Sequence, residues 1–249
     1  MSGSELDRFA SAYTESFEFH DENLLMLTWY AERMITRLQE LGVRSLISLG
    51  IGHRVVGRAV LEKLVPRLTS YAIVEGSPAA IAAFGRDAAL PPQLRLVHSL
   101  FEDYAPPASV DAIELGFVLE HVDDPLSVLR RYAGFLKPGG VAVIVVPNAR
   151  SLHRLLGHVA GLLPDMYRLS EHDRALGHKR YFDLASLTAL VQEAGLRPAR
   201  SEGVFLKCLT TAQLRSLKLP PEMMRAFCSV GTELPAISNA IYVEAARQA

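Results

Sequence analysis

The run Leu49-Gly50-Ile51-Gly52-His53-Arg54 puts two glycines where a short apolar segment ends, and Glu75 ends the next such segment 25 residues after Gly50. Behind a β-strand, a glycine-rich turn lets a ligand approach the backbone, and an acid closing the second strand can accept both hydroxyls of a ribose. A second group of reactive side chains lies between Pro147 and Phe182, which holds four of the eight histidines and six Lys/Arg against three Asp/Glu. Imidazoles titrate near neutral pH and accept protons, while clustered cations suit a carboxylate or a phosphate. Asn148, Arg150, His153, Arg154, Lys179, Arg180 and Tyr181 are therefore expected to line a site for a small, anionic acceptor, with His178 as the first candidate for a general base. His121, one short turn beyond the fourth apolar segment, is the second candidate. Residues 1–41 carry eight Asp/Glu against three Arg, and His20, Asn23 and Tyr30 in that stretch are expected to close over the same site.

The elements that must position these groups follow from periodicity. From residue 44, short apolar runs alternate with stretches of helical period, the pattern of βαβ units on a parallel sheet. Strands are predicted at Ser45–Leu49, Tyr71–Glu75, Leu94–Val97, Val110–Leu115 and Val141–Val146, with two later ones at Arg200–Lys207 and Ala240–Glu244. Helices are predicted over residues 21–41, Val55–Val65, Pro78–Ala89, Asp183–Ala194, Thr211–Leu217 and Glu222–Ser229. Asp124-Pro125 starts a further helix as N-cap and first-turn proline, and Lys137-Pro138-Gly139-Gly140 is expected to stop it. The reading is an α/β, doubly wound, Rossmann-like fold: a mostly parallel seven-stranded sheet, helices on both faces, and a helical or loop insertion after strand 5. No linker or repeat divides the chain, so residues 1–249 are expected to form one domain. Within it, 1–43 is a helical cap, 44–146 the cofactor-binding core, 147–182 the acceptor-side insertion and 183–249 the late helices and strands.

Several blocks in this order are more specific: Phe101-Glu102-Asp103-Tyr104, Val110-Asp111-Ala112-Ile113, Val118-Leu119-Glu120-His121-Val122-Asp123-Asp124-Pro125, Leu136-Lys137-Pro138-Gly139-Gly140 and Val146-Pro147-Asn148. Together with the glycine turn and Glu75 they resemble the class I S-adenosylmethionine-dependent methyltransferases, and more loosely members from bacterial glycan or small-metabolite pathways. The resemblance implies that Gly50 and Gly52 lie under the methionine part of the cofactor and that Glu75 holds its ribose, with Ile51, His53, Gly76 and Ser77 also in the cofactor site. It further implies that Ser99, Leu100 and Phe101 flank the adenine, and that Gly116 and Phe117 touch the methionine end or the reacting centre. Two positions depart from the pattern: Ser48 stands where an acid is common, and Arg54 where glycine is frequent. Methyl transfer is an in-line displacement helped mainly by positioning, with proton removal for a hydroxyl acceptor, so no metal is required. Phe117 with Tyr30 or Tyr13 could offer aromatic faces to a sulfonium.

Composition bounds the alternatives. A content of 49% hydrophobic and 21% charged residues is that of a globular chain. A net charge of -1 argues against a nucleic-acid partner, and the longest apolar run, Val141–Val146, is far short of a membrane span. Cys208 and Cys228 fit no metal spacing, so the cytoplasm is the expected compartment. A nicotinamide-dependent oxidoreductase would use a similar sheet, but no tyrosine precedes a lysine by four residues. A non-catalytic adenosylmethionine-binding subunit would be consistent with Ser48 and Arg54.

Overall fold

The computed structural model of the chain describes residues 6–7, 18–86 and 90–248. Tyr13 and the predicted end of the Pro78–Ala89 helix therefore lie outside the described residues. Seven strands form one sheet in the order β3-β2-β1-β4-β5-β7-β6. They are β1 (Ser45–Leu49), β2 (Ser70–Glu75), β3 (Leu94–His98), β4 (Val110–Gly116), β5 (Leu136–Pro147), β6 (Leu196–Val204) and β7 (Ala240–Arg247). β1 to β5 pair in parallel, and β7 runs antiparallel between β5 and β6. The expected doubly wound, mostly parallel sheet is what the chain builds.

Chain reversal between β1 and β4 places the carboxyl ends of both strands side by side, with a crevice above them. This is the switch point at which ligands bind in open α/β sheets. Both faces are covered. On one side lie α1 (His20–Glu40), α2 (Val55–Lys63), α3 (Pro78–Arg86), α8 (Thr211–Ser216) and α9 (Pro221–Thr232). On the other lie α4 (Pro125–Phe135) and α7 (Leu184–Glu193). The insertion between β5 and α7 contributes two short helices, α5 (Leu152–Val159) and α6 (Glu171–Ala175). Among the described residues, no helix is long and apolar enough to cross a membrane.

α1 explains how the leading segment is fixed. Met26, Tyr30, Met34 and Leu38 repeat every four residues and, with Ala31 and Ile35, are buried against the sheet. Each such side chain stabilises by ~1.5–3 kcal/mol on burial. Arg33 pairs with Glu202 at 2.6 Å and Arg37 with Glu244 at 3.0 Å, tying the helix to β6 and β7. A partly exposed pair is worth less, roughly 0–1 kcal/mol, so apolar burial supplies the attachment and the ion pairs orient it.

Among the boundaries that differ from the sequence reading, three bear on how the sheet is built. Lys137 to Gly140 is assigned to β5 itself, which starts at Leu136 directly after α4; the register with β4 shifts between Val110 and Ala112 to admit it. β6 begins at Leu196, earlier than Arg200, because its outer edge is unpaired and tolerates Pro198. It ends at Val204, short of Lys207, because Phe205 turns to φ 61°.

Asp111 binds the start of this core together. Its Oδ2 accepts from the amides of Arg44 and Ser45 and from the Ser45 hydroxyl, and its Oδ1 meets Lys137 Nζ at 2.7 Å. Partial burial raises its pKa, but these donors outweigh that and hold it below the usual carboxylate range. Asp111→Ala should lower stability by ~1–3 kcal/mol in urea unfolding at neutral pH. Because the folded pKa is depressed, this contribution is fully present above the unfolded value of ~3.9 and fades as pH falls through the folded one. The gap between wild type and variant should therefore narrow in acid.

Candidate active site

A cavity of about 1300 Å³ opens above the carboxyl ends of the strands. Ligand sites usually occupy ~300–1,000 Å³, so the space suffices for a nucleoside-sized cofactor and an acceptor side by side. Every residue expected to hold the cofactor lines it: Gly50, Ile51, Gly52, His53, Glu75, Gly76, Ser77, Ser99, Leu100, Phe101, Gly116 and Phe117. Gly50 and Gly52 adopt φ of 80° and 46°, which bends the β1–α2 turn away and leaves backbone facing the crevice.

The Glu75 carboxylate spans two turns. Its Oε2 accepts from the Ile51 amide at 2.8 Å and its Oε1 from the Ser77 amide at 2.7 Å. A carboxylate has about four acceptor positions, so lone pairs remain for ribose hydroxyls. Leu6 packs within 2.5 Å of where a Cβ on Gly76 would sit, and Asp7 accepts from the Ser77 hydroxyl at 2.5 Å. Leu6 and Asp7 thus close this end of the cavity, and a side chain at position 76 would be in the way of Leu6.

Beneath the reacting end lies a buried polar floor. Glu114 accepts from the Tyr30 hydroxyl at 2.5 Å and from the Gly116 amide at 2.7 Å, while the Tyr71 hydroxyl donates to Ser48 at 3.1 Å. Burial raises the pKa of Glu114, and burial next to Glu114 raises that of Tyr30. Ser48 and Glu114 are register partners on β1 and β4. The acid absent from the end of β1 is thereby supplied one strand away, by a residue the sequence reading passed over. Its signal was a lone acid in the otherwise apolar Ala112-Ile113-Glu114-Leu115. Tyr30 itself does not line the cavity; its ring is fully buried under Gly116, so it positions Glu114 rather than closing over the site. Phe117 follows at φ 58°, a strained backbone for a bulky residue at the point where the chain leaves β4.

The acceptor side is built by the β4–α4 loop and the insertion. His121 and His178 stack edge to face with ring centres 4.8 Å apart, and His121 Nε2 lies 4.0 Å from Glu120 Oε1. Glu120 is wholly buried, and among the described residues neither of its carboxylate oxygens has a hydrogen-bond partner. Burial pushes its pKa up to about 7, and burial, reinforced by the charge of His178, pushes His121 down to about 3. His178 Nδ1 lies 3.4 Å from Asp173 Oδ1, close but outside hydrogen-bond geometry. Tyr181 donates to the same Asp173 oxygen at 3.0 Å. Despite its burial, Asp173 is held well below the usual carboxylate range by these groups and Ser170.

Other expected acceptor residues fare unevenly. His20, Asn23, His153, Arg154, Lys179 and Tyr181 line the cavity. Burial and the charges of Lys207 and Arg154 push His153 down to about 3. Asn148 lines it too, but its amide nitrogen is spent on the carbonyls of Pro235, Ala236 and Ser238. Arg180 is not at the cavity: its guanidinium donates to the carbonyls of Leu119, Val122 and Asp123 in the tight loop after β4. Arg150 is exposed and also lies outside it. Lys179 pairs with Asp123, and Arg154 stacks on Tyr181 while donating to the carbonyls of Met166 and Arg168. The cation excess thus serves mainly to hold the insertion. Glu22, Lys207 and Thr211 form a further buried triangle in the cavity wall, with Lys207 Nζ 2.6 Å from Glu22.

Residues 26–200 match the family described as "Methyltransferase domain". Two curated proteins, each a "Ubiquinone biosynthesis O-methyltransferase", are similar over part of their length. That of Ralstonia nicotianae is 31% identical over 105 residues, 42% of this chain and 42% of the relative. That of Thiobacillus denitrificans is 32% identical over 112 residues, 44% and 47%. The chain therefore spans less than half the length of the curated relatives it matches. Among solved structures, a Haloferax volcanii methyltransferase in complex with the Trm112 activator aligns with a TM-score of 0.63 and 16% identity, covering 98% of this chain and 97% of that one. The N-methyltransferase NodS of Bradyrhizobium japonicum WM9 with S-adenosyl-L-homocysteine aligns at 0.53 and 12% identity, covering 88% and 87%. At such identities the likeness concerns the fold.

Glu75→Ala removes a charged acceptor and frees both turns at once. Loss of charged hydrogen bonds costs ~1.5–3 kcal/mol, so affinity for adenosylhomocysteine should fall roughly 10- to 150-fold in calorimetry.

Proposed function

We propose an acceptor class for this chain, which belongs to the methyltransferase-domain family and is an S-adenosylmethionine-dependent methyltransferase rather than a hydride-transfer enzyme: it methylates a hydroxyl oxygen of a small molecule. The observation that carries this reading is the group Glu120, His121 and His178 in the same cavity as the glycine turn and Glu75. A hydroxyl is a poor nucleophile until its proton is removed, whereas a neutral amine attacks first and loses its proton afterwards. A site with two imidazoles and a buried carboxylate beyond Phe117 suits the first case. The O-methyltransferase names of the curated relatives agree with it.

When bound, S-adenosylmethionine supplies an electrophilic methyl on a sulfonium. The chain's own residues would do the rest. Glu75 would hold the ribose, Gly50 and Gly52 would admit the methionine part against backbone, and Glu114 would set a carboxylate below the positive end. Phe117 would stand at the reacting centre. His178, with Asp173 behind it, is the first group to relieve the acceptor of its proton, directly or through what it binds, and His121 is the second. His20, Asn23, His153 and Tyr181 would shape the acceptor pocket. An acidic group on the acceptor would meet Arg154 and Lys179, the two of the four proposed cations that line the cavity.

His178→Gln and His121→Gln separate chemistry from cofactor binding. With a phenolic or other hydroxylated acceptor, turnover should drop by ~100-fold or more in at least the His178 variant. Calorimetric affinity for adenosylhomocysteine should stay near wild type. Full turnover in both variants would leave proximity alone, or an acceptor already ionised, as the basis of catalysis.

A further inference from the structure

We propose that Glu120, His121 and His178 form a binding site for one divalent first-row cation, of the Zn²⁺ or Mn²⁺ kind, that holds and acidifies the acceptor's hydroxyl. The inference rests on the reading of this cavity as a methyl-transfer site and revises the metal-free expectation drawn from sequence. Three observations carry it. One donor atom from each of the three residues lies within 4.8 Å of the other two. Zinc bonds of about 2.0–2.2 Å in a tetrahedral site bring donors to roughly 3.3–3.5 Å of each other, so rotamer shifts on the order of an ångström close the set. The second observation is the wholly buried Glu120, whose oxygens both lack a hydrogen-bond partner among the described residues. A buried carboxylate without donors is costly, and a cation is the partner its cavity position admits. Third, His178 Nδ1 lies 3.4 Å from Asp173 Oδ1, and a carboxylate beside a coordinating imidazole is the usual outer partner of such histidines.

Two imidazoles and one carboxylate are a donor set for first-row divalent ions, and it leaves coordination positions open toward the cavity. An acceptor with one hydroxyl, or two on neighbouring carbons, would fill them. Coordination lowers the hydroxyl's pKa, and its proton leaves to water at the cavity mouth. The oxygen's lone pair then forms the new O–CH₃ bond as the S–CH₃ bond breaks, its electron pair returning to sulfur. The sulfonium becomes a neutral thioether, and the charges balance without any oxidant or reductant.

The test uses the full chain, stripped with a chelator and loaded with adenosylhomocysteine. Zn²⁺ is titrated by calorimetry and Mn²⁺ by electron paramagnetic resonance. One site per chain is expected, weakened at least 10-fold by Glu120→Gln and by His178→Gln. His158→Gln, on the exposed end of α5, should bind like wild type. Adenosylhomocysteine affinity reports that each variant is folded. Absence of saturable binding in the wild type, or unchanged binding in both cluster variants, overturns the cation site; in that case a turnover loss in His178→Gln assigns the proton directly to the imidazole. Failure of the wild type to bind adenosylhomocysteine would instead strike the methyl-transfer reading itself.

Discussion

A single carboxylate fastens together the two turns at the edge of the cavity. Glu75 accepts from the amide of Ile51 in the turn after β1 and from that of Ser77 in the turn after β2. Each turn presents backbone to the crevice, so neither can bury its amides in regular structure. An unsatisfied buried amide costs ~1–3 kcal/mol, which makes the spacing of the two turns depend on this one side chain. The same side chain lines the cavity.

The floor follows the same logic one layer down. Burying Glu114 in the sheet is tolerable only because Tyr30 and the Gly116 amide donate to it. Tyr30 is held in turn by the apolar face of α1 and lies edge to face with Phe117, their ring centres 6.4 Å apart. A leading helix that packs as ordinary core thereby sets the position of a carboxyl group in the cavity wall. Gly116 leaves no alternative, since a Cβ there would fall 2.5 Å from the Glu114 carboxylate and 2.7 Å from the Tyr30 hydroxyl.

On the acceptor side, charge is used for construction. The loop from Leu119 to Asp123 exposes carbonyls that no strand or helix satisfies, and the planar fork of Arg180 serves three of them. Lys179 donates from its ammonium to Asp123 and from its amide to the Glu120 carbonyl. These contacts bring His178, the residue before Lys179, against His121. A positive segment in sequence thus becomes a latch in space, and the groups it delivers to the cavity are imidazoles and acids.

Much of the fold was legible without coordinates. Alternating apolar runs and helical stretches determine a parallel sheet wound on both faces, because period 2 and period 3.6 bury different surfaces. The glycine turn, the acid closing β2 and the blocks through Asn148 pointed to residues that the structure gathers around one cavity, since such turns are local features of sequence. What lay outside the reach of sequence were relations between distant segments. Nothing in the residue types of Arg180 or Arg150 distinguished a cation facing a ligand from one capping a loop, because that depends on which carbonyls the fold leaves without donors. Ser48 read alone was a missing acid, and only the register of β1 with β4 supplied Glu114 beside it. Likewise Glu120 and His121 are 57 or more residues from His178 in sequence, and it took the packing of the insertion against the β4–α4 loop to make them one cluster. Local conformation is written in short-range pattern; the partners of a buried charge are chosen by tertiary contact.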